Sequence, residues 1–140
     1  MNELEEIVSK FDCECLESNR RIKKSELNNY EKELDVEFGP LLKEYILKYG
    51  YIAYDHVEFY GINSTQGINS DMISTSKKLH NLSEQTRGLI AIENQGDGDY
   101  YLVDSNDNMY EFILDGSLSL KKLNITLLKY IENRLESIEQ

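Results

Sequence analysis

The 140 residues carry 15 Lys and Arg against 26 Asp and Glu, a formal net charge of −11, with 40% apolar residues, a single proline and 8 glycines. That composition is globular, and it excludes a disordered or collagen-like chain. The length suits one domain whose core needs neither disulfides nor metal. The negative field repels nucleic acid and anionic membrane surfaces, so neither is an expected partner, and a protein with a basic surface is.

Leu4, Ile7, Val8 and Phe11 recur at i, i+3, i+4 and i+7, which predicts an opening amphipathic helix. The start, Met1-Asn-Glu-Leu-Glu-Glu, is acidic where a signal peptide is basic, and no apolar run approaches the roughly 20 residues of a membrane span. A cytoplasmic location is expected. Cys13 and Cys15 stand too close for an ordinary disulfide and lack the further ligands of a zinc site, so free thiols are expected.

Ser25 is the expected cap of a second short helix carrying Leu27, Tyr30 and Leu34. Gly39-Pro40 marks a break. Leu41, Leu42, Tyr45, Ile46 and Tyr49 then form a helical stripe that ends at Gly50, where a left-handed cap is expected. Ile52-Ala-Tyr54 and Val57-Glu-Phe-Tyr60 are rich in β-branched and aromatic residues and read as strands. A helix is expected within Gly67 to Ser83. Leu89 to Ile92, Tyr100 to Val103 and Met109 to Leu114 are strand-like runs whose short connections favour an antiparallel meander. A closing helix carries Ile125, Leu128, Ile131, Leu135 and Ile138, with Asn124 as its expected cap. The fold class that follows is α+β, a central antiparallel β-sheet flanked by helices.

The segment Asn94-Gln-Gly-Asp-Gly-Asp99 invites a metal or phosphate reading, and its spacing argues against both. Reading Asp104-x-Asn106-x-Asn108 as a calcium loop places Met109 where the turn needs glycine. Gln95-Gly-Asp-Gly98 lacks the lysine of a phosphate loop. Hairpin turns explain these residues better, because Asn, Asp and Gly tolerate positive φ. His56 and His80 fit no catalytic spacing, and close carboxylate pairs arise by chance in so acidic a chain. No catalytic residue, metal or cofactor is expected. The ten tyrosines, with no tryptophan, suit either a tyrosine-rich sheet core or an interface.

The order of Pro40-Leu-Leu-Lys-Glu-Tyr-Ile-Leu-Lys-Tyr-Gly50, Phe59-Tyr-Gly61, Asp71-Met-Ile-Ser-Thr75, the glycine- and aspartate-rich turn running into Tyr100-Tyr-Leu-Val-Asp104, and a closing helix resembles the SUKH superfamily of Smi/Knr-like proteins. The resemblance spans Ser25 to Leu135 and departs at Gly39, where the family commonly has a bulky apolar residue. It implies one SUKH-like domain over 1–140, with 1–24 an N-terminal helical segment. It also implies a non-catalytic bacterial immunity protein that neutralises a cognate toxin, often a nuclease, by occlusion. The alternative it leaves is a regulatory or scaffold domain. Residues expected to meet a partner combine carboxylates with aromatics near the sheet and its turns: Tyr54, Asp55, Glu58, Asp97, Asp99, Tyr101, Asp104, Asp107 and Glu111.

Overall fold

The computed structural model describes residues 2–64 and 71–138, so the Gly67–Ser70 part of the helix expected from Gly67 to Ser83 lies outside them. The chain runs α1 (Glu3–Lys10), β1 (Glu14–Cys15), α2 (Lys24–Leu34), α3 (Pro40–Tyr49), β2 (Ile52–Tyr54), β3 (Val57–Glu58), α4 (Asp71–Leu82), β4 (Ile90–Asn94), β5 (Asp99–Val103), β6 (Asn108–Leu114), β7 (Leu118–Thr126) and α5 (Leu127–Ile138). The fold class is α+β. Its strands form two antiparallel sheets, β1-β2-β3 and the meander β4-β5-β6-β7.

Helix ends follow local chemistry. Asn2 caps α1 by accepting the Glu5 N–H at 2.9 Å. α2 begins at Lys24 rather than after Ser25: the Lys23 N–H donates to the Glu26 carboxylate at 3.2 Å, which sets the first turn earlier. α5 begins at Leu127 and not after Asn124, because Asn124 is still in β7 and Thr126 Oγ1 accepts the Lys129 N–H at 3.3 Å. α3 ends at Gly50, whose φ of 76° is one that a side chain would resist.

The start of α3 is capped from far away. Gly39 precedes Pro40 and has no side chain to offer, and Asp107 from the β5–β6 turn accepts the N–H groups of Leu41 and Leu42 at 2.9 and 3.2 Å. A Cβ on Gly39 would lie 2.3 Å from Asp107 Oδ1. The departure from the family pattern at this position therefore has a cause: the glycine makes room for a carboxylate at the positive end of the helix.

The main core joins α1, α2, α3 and α5 to the small sheet and one face of β4–β6 through Leu4, Leu27, Leu42, Ile46, Met109 and Ile131. Buried Tyr45 ties α3 to the small sheet, its hydroxyl donating to Tyr60 O at 2.6 Å and accepting the Ile52 N–H at 3.3 Å. α4 covers the opposite face of the meander, and buried Ser76 joins the two by donating to Met72 O and accepting the Ala91 N–H. The tyrosines divide: Tyr45, Tyr100 and Tyr130 are core, and Tyr54, Tyr101 and Tyr110 are half-buried.

Candidate functional site

Alternation along the strands sorts the meander into two unlike faces. Tyr100, Leu102 and Phe112 share the face under α4 with Leu79 and Leu89, a closed apolar layer. On the other face Glu93, Tyr101 and Glu111 form a row across β4, β5 and β6, because Glu93 pairs with Tyr101 and Tyr101 with Glu111. Asp99 lies on that same face at the start of β5, opposite Ile113.

Glu93 is the one buried charged side chain among the described residues, 3% exposed. Its Oε1 accepts the Tyr130 hydroxyl at 2.6 Å and Arg134 Nε–H at 2.9 Å, and its Oε2 accepts Arg134 Nη2–H at 2.8 Å. Gln95 Nε2 donates to the same Tyr130 hydroxyl at 3.0 Å. A fork of this kind, with the remaining lone pairs satisfied, makes a buried carboxylate tolerable. Burial, and after it the charge of Glu93, drives the Tyr130 phenol well above its usual range; the hydrogen bond to Glu93 holds Arg134 more firmly charged. The unit pins α5 to β4.

Tyr101 stacks on Tyr130 with ring centroids 5.3 Å apart. Its hydroxyl lies 2.8 Å from Glu111 Oε2 and 3.1 Å from Asp99 Oδ2. Burial raises the Asp99 carboxyl above its ordinary value; the Tyr101 hydroxyl opposes this, and Glu111 and Glu93 add to it. Asp99 Oδ1 is buried without a hydrogen-bond partner, although the residue as a whole keeps some exposure. Among the described residues neither Asp99 nor Glu111 forms an ion pair with Lys or Arg, even though Lys121 stands opposite Glu111 in the β6–β7 register.

Beside this row a cleft of about 450 Å³ opens between the β2–β3 turn and the end of β4, with His56, Glu58, Asp71, Glu93, Gln95 and Arg134 among its walls. Glu58 and Asp71 also line a neighbouring hollow of about 220 Å³ whose far side carries Arg20 and Tyr51. The result is a shallow surface on which Glu58, Asp71 and Glu93 stand beside Tyr51 and Tyr60, with Arg20 and Arg134 at its edges. Among the described residues no group of three or more His, Cys, Asp or Glu side chains is arranged to hold a metal ion.

The nine residues expected at an interface fall into three groups. Asp99, Tyr101 and Glu111 come together on one face, and Glu58 lines the cleft beside them. Asp97 is exposed in the β4–β5 turn at that same end, where Gly96, Asp97 and Gly98 all have positive φ, so the glycines serve backbone geometry. Asp55 turns β2 into β3 at φ 55° and its carboxylate meets His56 Nδ1 at 2.8 Å, while Tyr54 packs edge-on against Phe11. Asp104 and Asp107 lie at the opposite end of β5, with their carboxylates engaged inside the fold. Asp104 accepts from the N–H groups of Asn106 and Asn108 and from the Tyr110 hydroxyl, and Asp107 caps α3.

Sequence reasoning passed over Glu93, Gln95, Tyr130 and Arg134. A signal existed for two of them. Glu93 is a charge that continues the strand directly after the apolar run from Leu89 to Ile92, and Arg134 falls on the stripe set by Leu127, Tyr130 and Ile131, where a charge needs a partner.

A family model of the SUKH type, described as SMI1-KNR4 cell-wall, matches residues 1–133. The chain belongs to the SUKH family. The match takes in α1 and β1 as well as the span from Ser25 onward, in keeping with Leu4, Ile7 and Phe11 being buried in the same core as α3 and α5. No curated protein matches this SUKH chain. Among its described residues no helix is long and apolar enough to cross a membrane.

Proposed function

We propose that this SUKH protein is an immunity protein: it binds a cognate toxin with a basic surface and neutralises it by occlusion, without catalysis or cofactor, in the bacterial cytoplasm. The observation that carries the reading is the row Asp99, Tyr101 and Glu111, where two carboxylates without Lys or Arg partners among the described residues flank a stacked tyrosine on one sheet face. A nuclease gathers Lys and Arg to attract phosphate, and an acidic face with aromatic anchors complements such a surface and speeds encounter. The net charge of −11 supports the same partner at long range. Glu58, Asp71 and Asp97 extend the acidic field around the row, and Tyr54 and Asp55 border it on the small sheet.

The test is co-expression with the toxin domain encoded by the adjacent reading frame. Restored growth and a complex that co-elutes on gel filtration are the expected results. Unrelieved toxicity with no complex would remove the reading. The family's cell-wall description favours a second one, a regulatory or scaffold domain that recruits endogenous proteins. Pull-downs that return enzymes or scaffolds in place of a toxin would move the assignment there.

A further inference from the structure

We propose that Asp99, which competes with Glu111 for the one Tyr101 hydroxyl, holds a proton in the folded protein, so that this end of the sheet is a proton-linked element whose charge, and with it the pull of the acidic face on cations, is set by pH. The argument begins with a count of protons. The Tyr101 hydroxyl has one hydrogen to donate, yet Glu111 Oε2 and Asp99 Oδ2 both converge on it, at 2.8 and 3.1 Å. Both carboxylates sit on neighbouring, paired strands and meet at that one hydroxyl oxygen. Ionised together, they would repel across β5 and β6 with one donor between them.

A proton on Asp99 resolves this. The phenol is then left to serve the Glu111 carboxylate, and the buried Oδ1 no longer carries a share of an anion with no partner.

The surroundings do not supply the missing cation. From β4, Glu93 adds negative charge, and from α5, Arg134 and Tyr130 are already committed to Glu93. From β7, Lys121 stands across from Glu111 without an ion pair to it, and from the β4–β5 turn comes only Asp97, a further acid. The folded chain thus holds a proton that the unfolded chain has lost just above the ordinary Asp range, and stability falls as the pH rises across that window.

The experiment uses the isolated chain and needs no partner: carboxyl-carbon NMR titration together with urea unfolding from about pH 4 to about pH 8. The expected result is the Asp99 carboxyl titrating above an ordinary value of about 4 and moving back toward it in E111Q. The wild-type urea midpoint should fall more steeply with pH than that of D99N. Asp107, also raised by burial, is present in both proteins, so the difference isolates Asp99. Two wild-type carboxyls titrating at ordinary values, or equal pH slopes for wild type and D99N, would overturn the proposal. If D99N does not fold, the wild-type and E111Q titrations decide the matter alone.

Discussion

The two faces of the four-stranded sheet are built from alternate residues of the same strands, yet they do opposite things. Under α4, Tyr100, Leu102 and Phe112 meet Leu79 and Leu89 in a closed apolar layer. On the other face Glu93, Asp99, Tyr101 and Glu111 bring charge to the sheet, and α5 answers one of them, Glu93, with Arg134 and Tyr130. The lesson is that the covering helix decides what a sheet face is for. The α4 stripe, apolar but for a hydrogen-bonded Ser76, closes its face, and the one arginine of the α5 stripe is spent on Glu93, so that among the described residues Asp99 and Glu111 have no Lys or Arg ion pair.

If the α4 face is closed core, and the Asp99, Tyr101 and Glu111 end of the other face lies beside the main core packed on Val103 and Met109 and meets a partner, substitutions should separate stability from binding. The largest expected effect is on the closed face: Phe112→Ala leaves a cavity in a fully buried site and should cost about 3–5 kcal/mol, read from urea unfolding. Next comes the ion pair that pins α5 to β4. Arg134→Met strands the buried Glu93 and should cost about 3 kcal/mol, whereas loss of an exposed ion pair such as Lys10 with Glu136 should leave the unfolding curve unchanged.

At the far end of the hairpins, Asp107→Ala removes the borrowed cap of α3 and should cost about 1 kcal/mol. Gly39→Ala should be tolerated better in that background than in the wild type, since the clash is with the Asp107 carboxylate. A double-mutant cycle measures this directly. The smallest stability effect belongs to the open face. Asp99→Asn should raise the urea midpoint slightly near neutral pH, because it removes a carboxyl that burial and Glu111 make costly to ionise. A marked loss of stability there would erase the distinction between the faces.

The helices and the meander were legible because they are local patterns. The α1 and α3 stripes repeat at helical spacing, and Gly50 marks its end as backbone chemistry requires. β7 was not legible. Leu118 and Leu120 sit in one phase, Leu123 and Ile125 in the other, and Lys121-Lys122 falls between. Leu120 serves the α4 face, Leu123 and Ile125 serve the main core, and Leu118 is exposed, so the strand has no single apolar face to announce it. β1 pairs with β2 over two residues, too few to leave a pattern.

The site was legible in part for the same reason. Asp99, Tyr101 and Glu111 are near in sequence, and hairpin register brings them together. Arg134 reaches Glu93 across 41 residues and Asp107 reaches Leu41 across 66, distances over which no periodicity speaks. Asp104 and Asp107 look from sequence like the other turn carboxylates. Their partners inside the fold distinguish them.

The central claim is that the open face, and not the acidic charge as a whole, holds the partner. The direct measurement is the affinity of the proposed partner, a toxin domain identified by co-expression, for the wild type and for a D99N/E111Q/Y101A variant shown to unfold at a comparable urea concentration. An interface anchored there should lose at least about 2 kcal/mol, roughly 30-fold in affinity, and with it protection of growing cells. Undiminished affinity and full protection by that variant would contradict the account.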